Sequence, residues 1–136
     1  MKKLNLIISS KIGNTCLVEN FLETLIQEFR LEKELCGRVI LATIEATNNA
    51  CLWGVGNDDK KKVTINACIK NSELFISVED QGEGFDYTKI PDPTTPENIM
   101  KKTGRGLYLM KALCDNLKFQ KKGSKVILKF SLNSES

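Results

Sequence analysis

Hydrophobic and polar positions along the chain change period several times, and each change marks an element. Residues 4–8, Leu-Asn-Leu-Ile-Ile, form a short apolar run that predicts a strand. Ser9 to Asn14 read as a loop ending at a helix cap, either Asn14 or Thr15. Val18, Phe21, Leu22, Leu25, Ile26 and Phe29 then recur at the spacing of a single helical stripe. A second helical run from about Glu32 to Trp53 is more apolar. Val39, Ile40, Leu41, Ile44, Ala46, Ala50 and Leu52 cover much of its circumference, which predicts a largely buried helix ended by Gly54 and Gly56.

Beyond those glycines the period drops to two. Val63, Ile65, Ala67 and Ile69 alternate with polar residues, as do Leu74, Ile76 and Val78, and Asn71 with Ser72 supplies the turn of an antiparallel hairpin. Periodicity disappears over residues 87–103, which hold every proline of the chain (Pro91, Pro93, Pro96) and predict a lid or binding loop. Helical spacing resumes at Gly106 through Leu107, Met110, Leu113, Cys114 and Leu117. Leu117 to Gln120, a turn at Gly123 and alternating Val126, Leu128, Phe130 and Leu132 close the chain as a second hairpin. This order predicts an α+β fold: a two-layer α/β sandwich whose mostly antiparallel mixed sheet is covered on one face by about three helices. The other sheet face is left to solvent or to a partner.

Composition narrows the classes. At 136 residues and 41% hydrophobic content the chain fits one domain, residues 1–136. No run approaches the roughly 20 apolar residues of a membrane span, and no secretory leader is legible, so a cytoplasmic protein is expected. Cys16, Cys36, Cys51, Cys68 and Cys114 are odd in number and widely spaced, without a Cys-x-x-Cys pair, and read as reduced thiols, mostly in the core. The chain has no histidine, so acid and base chemistry falls to carboxylates, lysines or water. Its net charge of +3 comes with lysines at presumed turns (Lys60 to Lys62, Lys121, Lys122) and no interleaved aromatics, which argues against direct nucleic-acid binding.

Three short stretches carry candidate chemistry. Glu45 and Asn49 stand four apart on a helix, so their side chains project from one face with Cβ atoms about 5–6 Å apart. A buried Glu needs either a structural hydrogen-bond partner or a functional reason. Beside an amide oxygen able to bind magnesium, it could orient or deprotonate a hydroxyl attacking a phosphate. Asp80-Gln-Gly-Glu-Gly-Phe-Asp86 follows a strand, which places Asp80 where its oxygens could accept a hydrogen bond from an exocyclic amine. A calcium loop would want acidic or amide groups where Gly82 and Gly84 stand. Gly104-Arg-Gly106 opens a helix whose free N–H groups and positive dipole end favour phosphate, with Lys101, Lys102, Thr103 and Arg105 as further donors and Leu107 next in line. It lacks the third glycine of a dinucleotide fingerprint and the Lys-Ser/Thr ending of a P-loop. Taken singly, the second and third stretches could be a plain turn and a loop with solvated lysines.

Together, Glu45-x-x-x-Asn49, Asp80-x-Gly82-x-Gly84 and Gly104-x-Gly106 resemble the asparagine box and two glycine boxes of the gyrase, histidine-kinase and mismatch-repair ATPase superfamily. Within it, Glu-Ala-Thr-Asn-Asn-Ala, Asp-Gln-Gly-Glu-Gly-Phe-Asp and Gly-Arg-Gly-Leu-Tyr-Leu-Met most resemble the bacterial anti-sigma-factor serine/threonine kinases, over nearly the whole chain. The resemblance implies a Bergerat-type ATP-binding fold with a left-handed crossover. It implies Asn49 as magnesium ligand, Glu45 as catalytic carboxylate and Asp80 as adenine contact. Gly82, Gly84, Gly104 and Gly106 would be backbone partners of ATP, and Lys101, Lys102 and Arg105 would belong to the lid. Trp53 stands where many members carry His.

The implied activity is phosphorylation of an anti-sigma-factor antagonist together with sequestration of a sigma factor or comparable regulator, by a homodimer that does not bind nucleic acid. Two alternatives stay open at this point. One is a nucleotide-gated protein-binding module without phosphotransfer. The other is a detached catalytic half of a histidine kinase, which could act only on a partner's histidine because this chain has none.

Overall fold

The computed structural model describes residues 2–9, 15–51, 61–81 and 102–132, the side chains of Thr15, of residues 102–106 and of Lys122 excepted. The elements run β1 (Lys3–Ser9), α1 (Thr15–Phe29), α2 (Lys33–Asn49), β2 (Lys62–Lys70), β3 (Glu73–Asp80), α3 (Lys102–Leu113), β4 (Asn116–Gln120), a 3-10 turn at Lys121–Gly123, and β5 (Lys125–Ser131). The strands form one sheet in the order β1-β2-β3-β5-β4, and all four pairings are antiparallel. The β2–β3 hairpin closes on the expected Asn71 and Ser72, both at positive φ (54° and 62°), the primed turn whose twist matches that of the flanking strands. β5 inserts between β3 and β4, so the path from β3 through α3 to β4 crosses over it.

Alternation sorts the sheet into two faces. Val63, Ile65 and Ala67 on β2, Leu74, Ile76, Val78 and Asp80 on β3, and Val126, Leu128 and Phe130 on β5 are buried on the helix side. The outer face carries Lys3, Lys62, Lys70, Lys118, Lys125 and Lys129, with Glu73 and Glu79 among them. On α1 the predicted stripe is the core stripe: Val18, Phe21, Leu22, Leu25 and Phe29 are buried. Leu25 is fully enclosed, and cutting it to Ala would cost about 2–5 kcal/mol.

Two expectations need correction. α2 is amphipathic and is not enclosed all round. Leu35, Val39, Ala42, Thr43, Ala46 and Thr47 are buried, whereas Leu41 is 41% exposed, because only one side of the helix meets the sheet and its neighbours. Its regular part ends at Asn49, and residues 52–60, with Trp53, Gly54 and Gly56, lie outside the described residues. α3 begins at Lys102, four residues before Gly106, so the two glycines fall inside its first turns despite their low helix propensity.

Candidate active site

The end of α2 and the end of β3 meet over a cleft. From α2 come Ala46, Asn49 and Ala50. The floor is Val78 and Asp80 of β3, with Val126 of the neighbouring β5. Met110 of α3 and Phe119 of β4 form the apolar far wall, and Gly123 and Ser124, where the 3-10 turn runs into β5, complete the rim. With its open mouth counted, the cleft spans about 280 Å³. Apolar walls with a few polar groups at one end suit a flat heteroaromatic ring whose edge carries hydrogen-bonding atoms.

Asp80 is 8% exposed, the last residue of β3, and its N–H donates to the Ser124 carbonyl at 2.9 Å. That bond extends the β3–β5 ladder by one rung and fixes where the carboxylate enters the cleft. The next residue is tied down as well: the Gln81 side-chain oxygen accepts from the Lys62 N–H at 2.7 Å, holding the chain's exit from β3 against β2.

Asn49 lines the cleft half-buried, and Glu45 stands half-buried one turn earlier on the same helix face. Neither side chain has a hydrogen-bond or ion-pair partner among the described residues, and of the two Asn49 lines the cleft. Thr47 and Thr43, on the buried side, are occupied differently: the Thr47 hydroxyl donates to the Thr43 carbonyl at 2.8 Å. After Asn49 the helix widens into a π-type turn at Ala50 and Cys51, and the Ala50 N–H is shared between the Ala46 and Thr47 carbonyls. Burial first, and the Asp80 charge second, push the Cys51 thiol above its ordinary value, so Cys51 stays a neutral, unreactive thiol beside the floor of the cleft. All five cysteines are free.

Of the residues singled out in the sequence, Asn49 and Asp80 line one cleft, and Glu45 stands one turn from Asn49 on α2. Lys102, Thr103, Gly104, Arg105 and Gly106 form the N-terminal turns of α3, where the first four N–H groups have no partner within the helix. Leu107 turns its side chain into the core, and Met110, in the next turn, faces the cleft. Gly82, Gly84, Lys101 and the proline-bearing loop lie outside the described residues. Sequence reasoning missed Ser124 and Phe119. The Gly-Ser step between two strand patterns marks a turn, but only the β3–β5 pairing reveals that this turn stands beside Asp80.

Comparison with known proteins places the same geometry in context. Residues 8–130 match the family model described as the histidine kinase-like ATPase domain. The anti-sigma F factor of Clostridium perfringens is 33% identical over 98 residues, covering 68% of this chain and 70% of that protein. The serine-protein kinase RsbW of Bacillus velezensis is 31% identical over 102 residues, covering 70% of this chain and 64% of that one. The crystal structure of the RsbU and RsbW domains of a Mycobacterium tuberculosis protein superimposes with a TM-score of 0.67 at 16% identity, covering 98% of this chain and 32% of that chain.

Proposed function

Because the chain belongs to the histidine kinase-like ATPase domain family, we propose that it is an ATP-dependent serine/threonine protein kinase that acts as an anti-sigma regulatory factor. The observation that carries this reading is the convergence of Asn49 and Asp80 on one cleft, with Glu45 one turn from Asn49 on the same helix face. The names of relatives, anti-sigma F factor and serine-protein kinase, support a sigma factor or comparable regulator as the protein held and a protein serine as phosphoacceptor, and in this reading that serine belongs to an antagonist protein. Residues 1–136 act as one domain in the cytoplasm, in a homodimer.

In this reading the adenine ring lies between Ala50, Met110 and Phe119, and its amine donates to the Asp80 carboxylate. The phosphates run toward the N-terminal turns of α3, where Lys102, Thr103, Gly104, Arg105 and Gly106 offer N–H groups at the positive end of the helix dipole. Magnesium, when bound through the Asn49 amide oxygen, neutralises phosphate charge. Glu45 accepts the proton of the attacking serine or threonine hydroxyl as its oxygen bonds to the terminal phosphorus and the bond to the ADP oxygen breaks.

The test is transfer from labelled ATP to the antagonist protein. Wild type should label a serine or threonine, while Glu45→Ala should keep nucleotide affinity and lose transfer by about 10²- to 10⁴-fold. Intact nucleotide binding without labelling by the wild type would instead make the chain a nucleotide-gated binding module.

A further inference from the structure

The rim of the cleft opposite α2 is held from the far side of the sheet. Glu79 precedes Asp80 on β3, so alternation sends its side chain to the outer face while Asp80 enters the cleft. There the Lys121 ammonium donates to Glu79 Oε2. Lys121 opens the 3-10 turn that ends at Gly123, with its backbone in the left-handed region at φ 52°, and Gly123 follows at φ 91°. An L residue with a Cβ enters that region at a cost, so something has to hold it there.

The remaining contacts close a ring. The Lys121 carbonyl accepts from the Ser124 N–H at 3.1 Å and from the Ser124 hydroxyl at 2.8 Å, and the Ser124 carbonyl accepts from the Asp80 N–H at 2.9 Å. Asp80 is covalently joined to Glu79. The path from Glu79 through Lys121 and Ser124 to Asp80 and back therefore passes from the outer sheet face to the cleft floor within a few bonds. Gly123 and Ser124, on that path, line the cleft.

We propose that the Glu79–Lys121 ion pair positions the base end of the nucleotide site. It holds the Lys121–Ser124 turn against Asp80, so the rim keeps its place beside Asp80 before the ligand arrives. Neither side chain touches the nucleotide; both act through the turn. This rests on the nucleotide reading of the cleft and adds a consequence: a ligand that draws Lys121 or Glu79 away on the outer face weakens nucleotide binding, and nucleotide disfavours that ligand equally. Glu79 faces Lys125 across the β3–β5 register and Thr64 across β2–β3, so Lys125 is a further cation near this carboxylate and bounds the loss on removing Lys121.

The experiment is calorimetric titration of magnesium-ADP and magnesium-IDP into wild type, Glu79→Gln, Lys121→Gln, the double variant and Lys121→Arg, with melting curves to show that each is folded. ADP affinity should fall about two- to fivefold in either Gln variant, the range an exposed pair covers. The double variant should be no weaker than the singles, and Lys121→Arg should match wild type. IDP, which lacks the amine that Asp80 would accept from, should lose less than ADP. Unchanged ADP affinity in the Gln variants, additive losses in the double variant, or equal losses for ADP and IDP would overturn the proposal while leaving the nucleotide site intact. A wild type that binds neither nucleotide would overturn the nucleotide reading itself, and the positioning role with it.

Discussion

Arg38, on α2, donates through Nη1 to the carbonyl of Leu113, the last residue of α3, at 3.2 Å. That carbonyl is one of the four a helix leaves unpaired at its C-terminus, and the guanidinium charge meets the negative end of the helix dipole. Glu34 sits 3.5 Å from the Arg38 Nε, close enough for Coulombic attraction, although this buried Nε makes no hydrogen bond among the described residues. α3 is thus pinned to α2 at the end away from its glycines. Arg38→Met, which keeps the packing of the stem, should cost about 1 kcal/mol and lower the melting temperature by roughly 4 °C, measured by calorimetry.

Thr43 offers the opposite case. Its side chain is fully buried and its hydroxyl has no hydrogen-bond partner among the described residues. An unpaired buried hydroxyl costs more than the methyl that would replace it. Thr43→Val should therefore raise stability by about 1 kcal/mol in denaturant unfolding. Thr47→Val, which removes the bond to the Thr43 carbonyl, should lower it.

Asp80 separates ligand binding from folding. Melting curves with and without magnesium-ATP should show a shift in the wild type, since nucleotide at 100 times its dissociation constant stabilises by roughly 2.7 kcal/mol, on the order of 10 °C for a chain this size. Asp80→Ala should lose the shift at the same nucleotide concentration. A variant that keeps the full shift would remove Asp80 from the site.

The buried thiols set an alkaline limit. Burial pushes both Cys51 and Cys114 above the ordinary thiol value of 9.0. The folded state therefore keeps these protons after the unfolded chain has begun to lose them. Their contribution is complete below that value and declines as pH rises toward the folded-state values, by up to about 1.4 kcal/mol per pH unit for each thiol. Denaturant unfolding between pH 8 and roughly pH 10 should show the decline, and Cys51→Ala with Cys114→Ala should flatten it.

Local pattern carried much of this fold because much of it is locally determined. The α1 stripe from Val18 to Phe29 and the Asn71-Ser72 hairpin turn depend on neighbours a few positions away, and both stand where the periodicity places them. The Glu45–Asn49 pair was legible for the same reason: four residues on a helix is a geometric fact before any tertiary contact exists. The exposure of Leu41 was not legible, because it depends on which side of α2 the sheet covers. The start of α3 was hidden by glycines whose intrinsic preference opposes a helix. Ser124 entered the site only through β5 pairing with β3, and Arg38 reached Leu113 across 75 positions, contacts for which no periodicity leaves a trace.

The division of charge between the two layers also bears on how the molecule meets others. The outer sheet face carries six lysines against two glutamates, whereas residues 15–49 carry six glutamates against three basic residues. Among the described elements the excess of positive charge therefore lies on the outer sheet face, because Lys102, Arg105 and Lys111 of α3 balance the glutamates of the other two helices. An acidic surface is attracted to this sheet face, and a sheet-to-sheet approach of two copies is opposed by like charge. Both effects reach about 10 Å at 0.1 M salt and fade as salt rises, so ionic strength selects which face is met first.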